Sequence, residues 1–299
     1  MRRASIRLAT LGLAALALGL PAAAAATAPA VTVKVKILRI LKNQAAGPKG
    51  GYWPHTGNLL GAPAALETQF RVTGTEYGGH PAPIRKVVVW LPKGVQITTK
   101  GFQTCALSVL QNKEPEKCPK GSLASPAGHA PQSAPTQCPP PAPLAGGAGE
   151  ACGVVDLGGT RVRESVKIQA YFAPTGGLNF FIEGVTPTVI EQPFAGAFQA
   201  ASGIFGRKFV VEVPLIETLQ CSANEIIEHK CFTDAVAETT SVTIGAAIMK
   251  GKKLISLGTI PKKCPKGGFP GKGEMWFGAE AEATWEKVTK EIKVPCPKK

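Results

Sequence analysis

The chain has 299 residues with a formal net charge of +14, and it contains 34 glycines, 26 prolines and eight cysteines. Glycine raises the entropic cost of a helix and proline removes its hydrogen bonds, so this composition excludes a mainly helical protein. After the amino-terminal apolar run, no segment reaches the ~18 consecutive apolar residues that a membrane helix needs.

The first 26 residues have the three parts of a secretory signal peptide: arginines at the start, an apolar run over 8–20 and an alanine-rich stretch ending at Ala26. We expect cleavage after Ala26, which leaves a net charge of +11 because three arginines and no acid are removed. The adjacent Arg2 and Arg3 leave twin-arginine export as an alternative to general secretion. The predicted location is secreted, either extracellular or cell-wall associated, with no membrane span after signal removal.

Most of the remaining chain alternates apolar and polar residues, which is the pattern of strands with one buried face. Turn residues at 174–177 and 250–252 predict two hairpins. Residues 280–292 also alternate, and we predict a strand there with a short amphipathic helix as the alternative. The inward rows are Val31-Val33-Val35-Ile37, Leu66-Thr68-Phe70-Val72, Val87-Val89-Leu91, Val166-Ile168-Ala170-Phe172, Leu178-Phe180-Ile182, Phe209-Val211-Val213-Leu215 and Val242-Ile244-Ala246-Ile248.

These many short strands and turns predict an all-β fold, specifically an antiparallel β-sandwich that is immunoglobulin-like or jelly-roll-like, stapled by disulfides and carrying long Pro/Gly-rich loops. Residues 123–159 are rich in proline and glycine and cannot form a packed core. We therefore predict one domain over 27–299 with an irregular insertion at 123–159. Two β-domains, 27–122 and 160–299, are the alternative.

Aromatic side chains in the Gly- and Pro-rich segment 50–55 make it the candidate ligand-contacting loop. Tyr52 and Trp53 offer flat apolar faces with a polar edge, which suit a sugar ring or a peptide, and His55 follows them. The alternative is that Trp53 folds back and closes one end of the core.

The cysteines form an even set in a chain with an export signal, which indicates disulfides rather than metal ligands. No C-x-x-C pair occurs, which argues against zinc-ribbon and thioredoxin-like sites. Eight cysteines allow 105 pairings, and the short spacings favour bridges between sequential pairs. The eight are Cys105, Cys118, Cys138, Cys152, Cys221, Cys231, Cys264 and Cys296.

Several short motifs resemble those of a group of uncharacterised secreted proteins from high-GC actinobacteria. They are Leu-Pro-Lys-Gly-Val at 91–95, Phe-Gln-Thr-Cys at 102–105, Cys-Pro-Lys-Gly-Ser at 118–122, Pro-Lys-Lys-Cys-Pro at 261–265 and Pro-Cys-Pro at 295–297. The resemblance implies a secreted β-rich fold and a bridge between Cys105 and Cys118. It implies no activity, and the pairs Cys138/Cys152 and Cys221/Cys231 lie outside its pattern.

Catalytic and metal-binding signatures are missing from the sequence. The four histidines have no metal-ligand spacing, the two aspartates form no D-x-D, and no serine lies in G-x-S-x-G. Glu164 and Glu183 fall on adjacent predicted strands and offer a carboxylate pair, but we expect strand glutamates on a solvated face. We predict no cofactor, no metal and no catalytic residue.

These features favour a secreted, non-enzymatic extracellular or cell-envelope protein with a structural or binding role. The positive charge suits an anionic wall polymer, and another envelope protein is the second possible partner. Nucleic acid is not expected, because the basic residues are dispersed and lack interleaved aromatics. The alternative is a secreted polysaccharide-acting hydrolase that uses a pair of glutamates.

Overall fold

The computed structural model describes residues 28–40, 52–54, 60–124, 149–157, 160–184, 188–216, 224, 232, 234–279 and 282–296, with backbone only at 39 and 52–54. The predicted signal peptide, His55, most of 123–159, and Cys138, Cys221 and Cys231 lie outside the described residues. In the described part of the chain, no helix is both long and apolar enough to cross a bilayer.

Sixteen strands make up most of the described structure. They are β1 Ala30–Ile40, β2 Tyr52–Pro54, β3 Pro63–Thr73, β4 Ile84–Pro92, β5 Gln96–Ile97, β6 Gly149–Asp156, β7 Arg161–Phe172, β8 Leu178–Gly184, β9 Ile190–Ala200, β10 Phe205–Glu212, β11 Val236–Ile244, β12 Ala247–Lys250, β13 Lys253–Ser256, β14 Gly258–Thr259, β15 Phe269–Phe277 and β16 Glu286–Val294. One short helix, α1, spans Leu107–Gln111, and 3-10 turns lie at Pro115–Lys117, Lys120–Ser122 and Glu282–Thr284.

Fourteen of these strands form one antiparallel sheet, in the order β16-β15-β4-β10-β9-β8-β7-β6-β11-β3-β1-β2, with β14 and β5 attached beside β3. The all-β, antiparallel prediction is confirmed. The more specific sandwich prediction is not confirmed, because hydrogen bonds join the fourteen strands into a single sheet. Strand β6 lies inside the Pro/Gly-rich stretch 123–159 and is largely buried, and it belongs to this sheet together with strands from both sides of the stretch.

The sheet curls until its outer long strands, β1 and β16, lie side by side. We call it the rolled sheet, and we call the β1–β16 contact the seam. Ten antiparallel steps separate β1 from β16, so the two strands run parallel across the seam. No β-ladder pairs these two strands, both of which lie within the described residues.

Side-chain packing closes the seam at both ends instead. Val31 and Val33 pack in one cluster with Val288, Met275 and Phe277. At the other end, the cluster consists of Ile37, Val294, Phe269, Ile260 and neighbouring apolar residues. The middle of the seam lies between these two clusters.

The predicted hairpins are confirmed, and the strand predicted over 280–292 is confirmed from Glu286 onward. Strands β7 and β8 pair across 173–177, and β12 and β13 pair across 251–252. Residues Glu286–Val294 form a strand along β15, preceded by a short 3-10 turn rather than a longer helix. The alternating rows therefore predicted the strands well, because one face of each packs inside the roll.

Two sequential disulfides are confirmed. Cys105 and Cys118 are bridged with their Cα atoms 5.2 Å apart, and Cys264 and Cys296 with theirs 5.9 Å apart. Cys152 is also disulfide-bonded, and its partner lies outside the described residues.

The loop closed by Cys105 and Cys118 covers part of the outer face of the rolled sheet. Its fully buried Leu110 packs with Tyr171 and Phe181, which point outward from β7 and β8. The Asn179 side-chain amide donates a hydrogen bond to the Cys105 carbonyl oxygen, 2.9 Å away. The bridge therefore fixes a cover that shields this face from water.

Candidate functional site

An apolar cavity of about 420 Å³ lies inside the rolled sheet. Every long strand contributes its inward row, so the wall consists almost entirely of aliphatic and aromatic side chains. Ligand-binding cavities in proteins typically measure about 300–1,000 Å³ and have predominantly apolar walls. Wall residues include Val33, Val35, Leu66, Phe70, Val87, Val89, Val166, Ile168, Phe180, Ile182, Phe194, Phe209, Val211, Val242, Met275 and Ile292.

The side of the roll opposite the seam is filled by phenylalanines. The rings of Phe180 and Phe194 stack with their centroids 5.2 Å apart, and those of Phe198 and Phe209 lie 4.5 Å apart. Near the seam, the inward residues are smaller, chiefly valines with Gly271 and Gly273 on β15. The inward side chains are therefore bulkier on β8 to β10 than on most of β1, β4 and β15.

A buried carboxyl group forms part of the cavity wall. Glu164, on β7, is 1% exposed, and its Oε2 accepts a hydrogen bond from the Thr188 backbone N–H at 3.1 Å. Our expectation that strand glutamates lie on a solvated face is wrong for this residue. Its inward position follows the same alternation that places Val166 and Ile168 inside.

Glu183 lies on the opposite face of the sheet. It is directly across from Lys167 in the β7–β8 register. Burial is the main cause that raises the pKa of the outward-facing Tyr171 to about 12, and the negative charges of Glu183 and Glu116 add to it. Glu164 and Glu183 are thus separated by the sheet and do not form the facing carboxylate pair that a glycosidase requires.

The sequence-predicted ligand loop is only partly described. Tyr52 and Trp53 belong to β2, where their backbones pair with Ile40 and Arg39 of β1, and nothing is described of their side chains. His55 lies outside the described residues. Their role in ligand contact stays a prediction.

Tryptophan and lysine side chains alternate on the outer face of β4, β15 and β16. The Lys272 ammonium lies 4.5 Å from the Trp90 ring centroid. Lys86 and Lys287 lie 5.7 and 5.8 Å from the Trp276 ring centroid, one on each neighbouring strand. Cation–π pairing between strands at such distances holds the ammonium groups over the rings. We call this surface, formed by Lys86, Trp90, Lys272, Trp276 and Lys287, the Trp–Lys face.

A separate polar cluster joins the 77–80 turn to β7 and β11. The Glu238 carboxylate lies 2.8 Å from His80 Nδ1 and 2.8 Å from Arg163 Nη1. Burial acts to raise the pKa of Glu238, but hydrogen bonds and charges from His80 and Arg163 outweigh it and hold the pKa below 4.5. This cluster ties a turn to the sheet and has the character of a structural ion-pair network.

In the described ranges, no three His, Cys, Asp or Glu side chains are grouped so that they could bind a metal ion. Sequence reasoning missed the cavity, although its inward rows include about a third of the wall residues. The available signal was the small size of the inward side chains on β1, β4 and β15, next to larger ones on β8 to β10.

Comparisons with protein-family models, with curated proteins and with solved structures give no match. The function must therefore be argued from the cavity, the seam and the Trp–Lys face.

Proposed function

We propose that the protein is an exported, non-enzymatic binding protein that holds an apolar ligand inside the rolled sheet. The observation that carries this proposal is the 420 Å³ cavity with its almost entirely apolar wall. The finer prediction of a β-sandwich is not needed for it, because a single sheet rolled around the cavity suffices.

The energetic argument concerns the cost of leaving such a space unfilled. At about 24 cal/mol per Å³, a closed and empty cavity of this size would cost up to about 10 kcal/mol relative to a filled core, and one that opens to water at the seam costs less. That is comparable with the whole stability of a typical domain, about 5–15 kcal/mol. A ligand with apolar surface recovers part of this free energy by replacing the missing contacts.

The hydrolase alternative has weaker support. It requires two facing carboxylates, and the pair considered from the sequence, Glu164 and Glu183, is divided by the sheet. A single buried carboxyl in an apolar wall suits the recognition of one polar group better than acid–base catalysis by two.

Filling the cavity tests the proposal. Val35 lines the cavity on β1, whereas its neighbour Lys34 is exposed on the other face of the same strand. In Val35→Trp the indole would occupy space near the seam, so we expect N-phenyl-1-naphthylamine, a neutral fluorescent probe, to bind about tenfold or more weakly, which corresponds to ~1.4 kcal/mol. Lys34→Trp is the matched control and should bind the probe as the unchanged protein does.

Thermal unfolding of both variants checks that they fold. Equal probe affinity in the unchanged protein and a folded Val35→Trp variant would refute cavity binding, as would failure of the unchanged protein to bind any apolar probe.

The Trp–Lys face favours a second candidate function, binding of an anionic wall polymer. Lys86 and Lys272 are ion-paired with Glu212 and Glu274, so Lys287 contributes most of the net positive charge. Trp90 and Trp276 provide flat apolar surface on which sugar rings stack. This face lies outside the roll, so it can act together with a loaded cavity and keep the protein at the envelope.

Charge reversal on this face is expected to release the protein from such a polymer. In Lys272→Glu/Lys287→Glu, we expect the fraction that co-sediments with teichoic-acid-containing wall at low salt to fall at least fivefold, because the net charge drops by four at the contact surface. Added salt should also weaken the binding of the unchanged protein to the wall polymer, since the Debye length shrinks to about 8 Å at 0.15 M ionic strength.

Lys252→Glu/Lys253→Glu makes the same change of net charge at the exposed β12–β13 hairpin. If this control loses as much binding as the Trp–Lys variant, only net charge matters and the face has no specific role.

A further inference from the structure

The seam gives the cavity a mouth with a distinctive chemistry. The two apolar clusters that close it lie at its ends, and Val35, Lys290 and Ile292 line the cavity between them. No ladder hydrogen bond crosses from β1 to β16 in these fully described strands. Side-chain packing rather than a β-ladder therefore closes the wall at this point.

Lys290 breaks the apolar pattern of its strand. On the part of β16 that lines the cavity, Val288, Ile292 and Val294 are apolar and half-buried, whereas Lys290 is charged and exposed. Lys290 is directly opposite Gly273 of β15, where an added Cβ would meet no atom within 4 Å. Open space is thus present beside the one inward lysine of the strand.

The surroundings of Lys290 are positively charged. Lys34 and Lys36 lie on β1, and Lys287 and Lys293 lie on the outward face of β16. Two acidic residues of β16, Glu286 and Glu291, offset part of this positive charge. Glu67 is 3.1 Å from Lys36 and offsets its charge. Among the described residues, Lys290 forms no ion pair, so its ammonium group is available to an anion at the mouth.

The buried carboxyl of Glu164 lies on the other side of the roll. It is on β7, six strands from β16 in the sheet order, and it lines the same cavity. A ligand with an anionic end would place that end at Lys290, away from Glu164, and its apolar part in the space between them.

We propose that the ligand is an anionic single-chain amphiphile whose hydrocarbon chain lies in the cavity and whose head group binds Lys290 at the middle of the seam. This inference rests on the proposed function, because it requires that the cavity bind apolar molecules, and it adds the chemical class of the ligand. A carboxylate and a phosphate head share the required charge.

Displacement of N-phenyl-1-naphthylamine by three twelve-carbon compounds tests the inference: dodecanol, dodecanoate and dodecyl phosphate. The unchanged protein should bind one or both anions at least tenfold more tightly than the alcohol, and the stronger of the two identifies the head group. Lys290→Met keeps the aliphatic stem and removes the charge, so it should reduce this preference to about twofold or less. Lys290→Glu should reverse it.

Lys293→Met is the matched control, since it removes a lysine three residues away on the outward face of the same strand. It should keep the preference for the anion. Unchanged affinity for the neutral probe in all variants shows that they fold and retain the cavity.

Two outcomes separate the inference from the function on which it rests. If dodecanol and the anions bind equally well to the unchanged protein, or if Lys293→Met acts as strongly as Lys290→Met, the head-group site is refuted while cavity binding stands. If neither the neutral probe nor dodecanol binds, the proposed function itself is refuted.

Discussion

Replacing Phe172 with alanine is expected to lower the free energy of unfolding by about 3–5 kcal/mol. Phe172 is fully buried at the end of β7, and its ring stacks on that of Phe102 with the centroids 4.0 Å apart. Its backbone oxygen also accepts the hydrogen bond from the Cys105 N–H, so the strand end is fixed and has little freedom to collapse into the space left behind. Urea unfolding followed by fluorescence measures the change.

Two further variants show whether burial causes this loss. Phe172→Leu keeps much of the volume and should cost clearly less than Phe172→Ala. Ile204→Ala removes apolar atoms from a side chain that is 62% exposed, and it should change the stability by no more than about 0.5 kcal/mol. A loss below about 1 kcal/mol for Phe172→Ala would contradict the packing described here.

Removing the Cys264–Cys296 bridge is expected to destabilise the protein by about 3–4 kcal/mol, the chain-entropy value for a closed loop of this length. The bridge spans a sequence separation of 32 and links the segment before β15 to the end of β16. Both cysteines are only partly buried, so Cys264→Ala/Cys296→Ala loses little packing and mainly frees the unfolded chain. Urea unfolding of the double variant measures the loss.

The other bridge is a less direct test, because Cys105 and Cys118 are themselves buried in the cover over β7 and β8. Removing them adds a packing loss to the entropic one. For the Cys264–Cys296 pair, a destabilisation below about 1 kcal/mol, with the remaining bridges verified by intact mass, would show that the bridge does not restrict the unfolded chain as supposed.

The alternating sequence pattern predicted part of the cavity wall residue by residue, but it did not predict the function of the cavity. Val33, Val35 and Val89 were predicted as inward residues, and they line the cavity. Glu164 was assigned to a solvated face because its own strand shows only alternation, and alternation does not tell which face is enclosed. The proposed role of Lys290 depends on β1 lying next to β16, and those strands are about 250 residues apart in the chain.

The sequence by itself determined the alternating strand pattern and the antiparallel hairpins, and it favoured sequential bridges, two of which are Cys105–Cys118 and Cys264–Cys296. Each of these depends on neighbours along the chain: side chains alternate with a period of two, turns need glycine or proline, and short loops favour nearby cysteines. Only the tertiary structure decided that fourteen strands form one rolled sheet around an open space. Whether the sheet closes depends on how the twist of all its strands adds up. Whether a cavity remains depends on whether the inward side chains together fill the enclosed volume. No local segment of the sequence encodes either quantity.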